Sequence, residues 1–308
     1  MKKLLVFFIL TLLPIFYANG DLIHDALLQD NPNLLHKVPD FYRKFPSKEL
    51  PGFVEFLIKE KKPNILLDLI KNQLIDINSV FFIALQTKNF DVAESLLLQG
   101  ANPNAKTPEG LSLLAWALTT KNKDIANYLL DKAVNIGDTI NGLSLINVAL
   151  SLDLDDIALK IIKKGGALHT ITKTDDGRIF TALHQAIEME KEKIAKSLIE
   201  YGALLDAVNE KGETPLDIAL RKNYTTLIKL LGYLQAPAQE SYATTIKNIL
   251  NSLSNAEKKE FDAIKFNRGL RTASLYKWSP TQQKPTPRQI NRETPMTPFQ
   301  DILIKLEK

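Results

Sequence analysis

The sequence predicts an all-α fold, a solenoid of stacked helix–turn–helix units. Three observations predict it: a small residue recurring at a nearly constant stride, aliphatic residues at a fixed offset behind it, and small residues closing each unit. Ala84, Ala117, Ala149, Ala186 and Ala219 are separated by 33, 32, 37 and 33 residues. Eight residues after each stands Val92, Ile125, Ile157, Ile194 or Leu227, and the next residue is Ala93, Ala126, Ala158, Ala195 or Ile228. Sixteen residues after the first four come Gly100, Ala133, Gly165 and Gly202.

The unit can be read in residues 181–202. Ala182, Leu183 and Ala186 share one helical face, as do Ile194, Ala195, Leu198 and Ile199, and the polar run 188–193 separates them. That pattern predicts two antiparallel helices joined by a tight turn. The small anchor lets the two helices approach closely. Gly202 stands where a left-handed helix end is wanted, a conformation that costs glycine nothing. Polar segments follow at 102–110, 135–142, 172–177 and 206–212, each ending in Gly. Ser112, Ser144, Thr181 and Thr214 then stand where a hydroxyl can cap the next helix. A single hairpin cannot bury its apolar face alone, whereas stacked neighbours can.

Thr181-Ala182-Leu183-His184-Gln185-Ala186 and Thr214-Pro215-Leu216-Asp217-Ile218-Ala219 each depart at one position from the T-P-L-H-x-A signature. With Gly100-Ala101 and Gly202-Ala203 after second helices, the chain resembles the ankyrin repeat family. The units at Ala117 and Ala149 match less well, having Ser112-Leu113-Leu114 and Ser144-Leu145-Ile146 in place of T-P-L. A degenerate unit precedes them, with Ile58, Leu66 and Leu74 at the same offsets and Ile75-Asp76-Ile77-Asn78 resembling A-D-V-N. The resemblance spans 51–232, about five clear repeats and one degenerate. It implies a bridging role between repeats for His184 and a surface offered to a protein partner.

The flanks divide as follows. Lys2 and Lys3, the apolar run from Leu4 to Phe16, and Ala18 and Gly20 form a signal-peptide pattern over 1–20, cut after Gly20; an uncleaved anchor is the alternative. The run is too short to span a bilayer as a helix. Residues 21–50 are expected to form a helical N-terminal cap, and 233–266 a helical extension with a turn near Ser254. Residues 267–308 read as a basic, Pro-rich tail ending in a short helix. Its stretch 267–292 carries Arg268, Arg271, Lys277, Lys284, Arg288 and Arg292 with no acidic residue, and five of the chain's 15 prolines lie between Pro280 and Pro298. An extended or disordered chain is expected there.

Composition narrows the chemistry. The chain has 308 residues, is 45% hydrophobic and 24% charged, and has a net charge of +4 and no Cys, which excludes disulfides, thiol catalysis and cysteine-bound metal. His24, His36, His169 and His184 lie apart in sequence, and Asp153, Asp155 and Asp156 lack the loop of a calcium site. No nucleotide, hydrolase or metalloprotease motif occurs. The reading is of an exported scaffold, not an enzyme, with no cofactor and no metal, monomeric, and located in the periplasm or secreted. Its partner is expected to be a protein. By analogy with ankyrin repeat proteins of intracellular bacteria such as rickettsiae, that would be a host protein. Repeat position nominates the loop tips as contacts: Lys106, Glu109, Asp138, Asn141, Asp175, Arg178, Glu210, Lys211 and Glu213. The alternative makes the repeats a targeting module for the tail, which would bind nucleic acid or an anionic membrane surface.

Overall fold

The computed structural model describes residues 19–132, 134–166, 168–174 and 177–275, with side chains through Arg271. Residues 1–18 of the signal-peptide pattern, Ala133, Asp175 and residues 276–308 lie outside the described residues. The chain forms two compact units, 1–135 and 136–308. Among the described residues no helix is long and apolar enough to cross a membrane.

In the first unit, α1 (Gly20–Gln29), α2 (Pro32–Leu35) and α3 (Phe41–Lys44) precede three hairpins. These are α4/α5 (Leu50–Lys59, Pro63–Lys71), α6/α7 (Ile77–Gln86, Phe90–Leu98) and α8/α9 (Leu113–Thr119, Lys123–Leu130). Phe41, Phe45 and Phe53 join α3 to α4 in a chain of buried rings with centroids 5.5 and 5.1 Å apart. Asp30 accepts hydrogen bonds from the free N–H groups of Asn64 and Ile65 at the start of α5, at 3.0 and 3.1 Å. Phe90 stacks on Tyr128 at 4.8 Å, tying α7 to α9.

The second unit carries three hairpins: α10/α11 (Leu145–Ser151, Asp155–Lys163), α12/α13 (Ala182–Glu188, Glu192–Glu200) and α14/α15 (Pro215–Arg221, Thr225–Tyr233). Two-residue strands β1 (Thr139–Ile140) and β2 (Leu143–Ser144) pair antiparallel before α10, as β3 (Thr172–Lys173) and β4 (Ile179–Phe180) do before α12. After a 3-10 turn come α16 (Ala243–Asn251) and the 21-residue α17 (Asn255–Leu275).

All five anchor alanines are fully buried. Ser112, Ser144, Thr181 and Thr214 each accept the N–H three residues on, capping α8, α10, α12 and α14. Gly100, Gly165 and Gly202 close their second helices with φ of 98°, 78° and 103°. Nothing lies within 4 Å of a Cβ built on Gly100, so Gly100→Ala would meet only backbone strain. We expect a loss of about 1–2 kcal/mol in urea denaturation, with no change in helical content.

One expectation fails. Residues 267–275 are helical, because α17 runs unbroken to Leu275. No proline interrupts the chain there before Pro280. Two cations from the stretch expected to be extended are also anchored on the repeats. Arg268 Nη1 donates to the carbonyls of Ile199 and Ala203 at 3.0 and 2.8 Å, and the Arg271 guanidinium lies 3.6 Å from the centre of the Tyr201 ring.

Candidate interaction surface

The repeats offer two open features, the loops between hairpins and the outer edge of the first helices. In the first unit, Thr107 N–H donates to Leu111 O and Gly110 N–H to Thr107 O, both at 2.8 Å, which folds the loop into a tight turn with Pro108 and Glu109 at its end. Lys106 and Glu109 are exposed there, and Lys106 bridges to Ser112. Behind this turn, Asn102 N–H donates to the Asn78 side chain at 2.8 Å and Asn135 N–H to that of Asn104 at 2.5 Å, so an Asn ladder carries the loops.

In the second unit, β1 and β2 join through Asn141 and Gly142, with φ of 50° and 78°. Positive φ at both central residues is the type I′ arrangement that matches strand twist, which makes Asn141 an exposed tip. Asp138 is half-buried at the foot of the same hairpin. Gly142 stands against the neighbouring hairpin: a Cβ there would meet Lys173 O at 3.2 Å. In the next loop Gly177 N–H donates to Thr174 O at 2.9 Å, and Arg178 is exposed.

Two nominated residues serve the scaffold. Glu210 exchanges bonds with Ile179, its N–H donating to Ile179 O at 3.2 Å and its carboxylate accepting Ile179 N–H at 3.1 Å. The Glu213 carboxylate accepts from Arg221 Nε at 2.8 Å and Asn209 Nδ2 at 2.9 Å. Burial pushes the Glu213 carboxyl up, but the hydrogen bonds from Asn209 and Arg221 outweigh it and hold it below the ordinary value. Lys211, next to it, is exposed.

His184 is buried and bonded on both ring nitrogens. Nδ1 accepts Thr181 N–H at 3.1 Å and lies 2.9 Å from Thr181 Oγ1, and Nε2 lies 3.2 Å from Glu213 O. This network assigns the proton to Nε2. Burial pushes its pKa down to about 4. The equivalent residue of the preceding repeat is Asn147, whose Oδ1 accepts from Thr172 Oγ1 at 3.3 Å. That of the following repeat is Asp217, which accepts Gln239 N–H at 2.7 Å. Each holds the loop that follows its own repeat.

Sequence reasoning pointed to the first helices as well as the loop tips but nominated no residue on them. Trp116 on α8 immediately precedes an anchor and is half-exposed, meeting Phe82 of α6 edge-on at 4.9 Å. Its place before Ala117 was a partial signal: the same position is half-buried at Ile83 and Gln185, whereas Val148 and Ile218 are buried. Gln185 holds the same place on α12 and bonds Asn147 and Ser151 of α10 at 2.7 and 2.8 Å. Arg221 pairs with Glu188 across α14 and α12. Lys191 binds both Asp153 and Asp155, at 2.8 and 2.5 Å, which gives those carboxylates a cation of the next repeat. Among the described residues no group of three His, Asp or Glu could hold a metal ion.

Comparison with known proteins agrees with this geometry. The family described as ankyrin repeats (3 copies) matches residues 80–175, and that described as ankyrin repeats (many copies) matches 173–231. The NF-kappa-B p105 subunit of Gallus gallus is 33% identical over 153 residues, covering 48% of this chain and 15% of that protein. FPV031, a fowlpox virus (strain NVSL) protein named for its ankyrin repeats, is 26% identical over 231 residues, covering 72% of this chain and 64% of that protein. The chain thus spans less than two thirds of these relatives' lengths. The ankyrin repeat domain of Bcl-3 superposes with a TM-score of 0.46 at 18% identity, over 61% of this chain and 87% of that one. The helical hairpins of residues 80–231 are ankyrin repeats.

Proposed function

We propose that this chain is an exported, non-catalytic scaffold that binds a protein partner through its loop tips and first helices. Ankyrin repeats generally serve protein–protein interaction. One observation carries the reading here: every anchor alanine is sealed between helices, while Trp116, Lys106, Glu109, Arg178 and Lys211 remain accessible on loops and first helices. A partly exposed Trp held edge-on by a Phe is the kind of rigid aromatic that anchors interfaces. Export rests on the N-terminal pattern, and bacterial origin rests on that pattern together with the Lys-, Ile- and Asn-rich composition. The tail-binding alternative is weakened because Arg268 and Arg271 are held by the repeats.

The test starts from a partner recovered by crosslinking to the full chain. Its affinity is then measured for Trp116→Ala and for the reversals Lys106→Glu, Glu109→Lys and Lys211→Glu. Trp116→Ala is expected to weaken binding at least about tenfold. Unchanged affinity in all four variants would overturn the assignment.

A further inference from the structure

We propose that the outward face of α17 docks on an anionic membrane surface, independently of any partner of the repeats. The argument begins with charge. α17 has three acidic residues, and each is engaged with the repeats. Glu257 pairs with Lys229 at 2.8 Å, Glu260 with Lys196 at 3.4 Å, and Asp262 accepts from the Tyr233 hydroxyl at 2.7 Å. Lys258, Lys259 and Lys265 of the same helix are exposed and form no ion pair among the described residues. Every carboxylate of the helix therefore has a partner on the repeats, while these three lysines have none among the described residues.

Its apolar residues divide in the same way. Phe261 and Ile264 face the repeats and are buried, while Phe266 and Leu270 are 66% and 58% exposed. At 3.6 residues per turn, Phe266 and Leu270 share one face with the exposed Ala263, about 140° or more round the helix from Phe261. Lys259 stands between Phe266 and Leu270 on that face, and Lys258 and Lys265 stand on one flank of it; large apolar side chains beside lysines form the pattern of a helix lying in a headgroup layer. Lysine stems reach along apolar surface while their ammonium groups stay with phosphate. The face is a ridge and not a groove, so it suits a surface that deforms around it. The aliphatic members, Leu270 and Ala263, suit acyl chains better than the flat bases of a nucleic acid.

The experiment is co-sedimentation of the full chain with vesicles, either pure phosphatidylcholine or phosphatidylcholine with phosphatidylserine. Any association of Lys2, Lys3 and the apolar run Leu4–Phe16 with lipid is common to the parent and the variants, so their difference isolates α17. Preferential binding to the anionic vesicles is expected, falling as salt rises. Replacing Lys258, Lys259 and Lys265 together by Gln should lower it roughly a hundredfold. Phe266→Ser with Leu270→Ser should lower it about tenfold or more. All these side chains are exposed, so an unchanged thermal midpoint confirms folding. Equal binding to both vesicle types would overturn the proposal, as would wild-type binding by either variant. Lysine-dependent binding that ignores Phe266 and Leu270 and is competed by a single-stranded oligonucleotide would assign the face to a polyanion instead.

Discussion

Acidification from pH 7 to pH 4 is expected to cost the second unit about 3 kcal/mol through His184 alone. The ordinary pKa of His is 6.5, and burial brings His184 down to about 4. Above 6.5 the imidazole is neutral both folded and unfolded, and its contribution is complete. Between 6.5 and 4 the unfolded chain takes up a proton that the folded chain refuses, so stability falls as pH falls, and the loss levels off below 4. The refusal has a local cause: a proton on Nδ1 would set donor against donor at Thr181 N–H. Carboxylates such as Glu213, whose pKa is lowered in the fold, lose their contribution in more acidic solution. The variant His184→Asn, which copies the residue at the equivalent Asn147, separates the two effects. Urea midpoints at pH 7, 5.5 and 4 should fall more steeply for the parent than for the variant. Parallel curves would refute the assignment of His184 as the acid-sensitive group.

The second large effect is expected from Phe261→Ala, about 3–5 kcal/mol. Phe261 is 2% exposed, and its ring centre lies 5.7 Å from that of Tyr233 on α15. With Leu253 and Ile264 it supplies the buried apolar contact of the extension, while the polar bonds of α17, from the exposed Lys196–Glu260 pair to the half-buried bonds of Glu257 and Arg268, each contribute less than the ring. Loss of the ring should therefore release α17 before the repeats. Hydrogen exchange is expected to accelerate throughout 255–275 while α12 and α14 keep their protection. Acceleration spread evenly over the second unit would show instead that α17 is integral to it.

The repeat was legible because its strongest constraint is local and compositional: where two helices touch, only a small residue fits, and Ala84 through Ala219 all record it. The conformation of the turn inside each hairpin was not legible, although its place was. Lys88, Lys121, Asp153, Glu190 and Asn223 all have φ between 54° and 57°, with no glycine among them. The next N–H in each case returns to the carbonyl of the anchor alanine, at 2.8 to 2.9 Å, and this closure imposes a conformation the residue itself does not favour. The nominated tips show the same limit. Position in the repeat identifies Lys106 or Lys211 as exposed, but the engagement of Glu210 and Glu213 depends on the register between adjacent loops, which one repeat does not encode. The end of α17 was misjudged because the prolines from Pro280 onward were read back over 267–275, which hold none and where carbonyls and a ring receive Arg268 and Arg271.

Asp217 and its cap Thr214 reach past the last hairpin, to Gln239 N–H and to Pro237 O, the latter at 2.8 Å. Trimming the molecule after Gln235 would therefore remove the loop partners of Asp217 Oδ1 and of the Thr214 hydroxyl and leave the two side chains only the bonds between Thr214 and Asp217, although every repeat helix would still be present. A shortened chain that keeps both bonds has to end beyond Gln239, several residues past the last turn of α15.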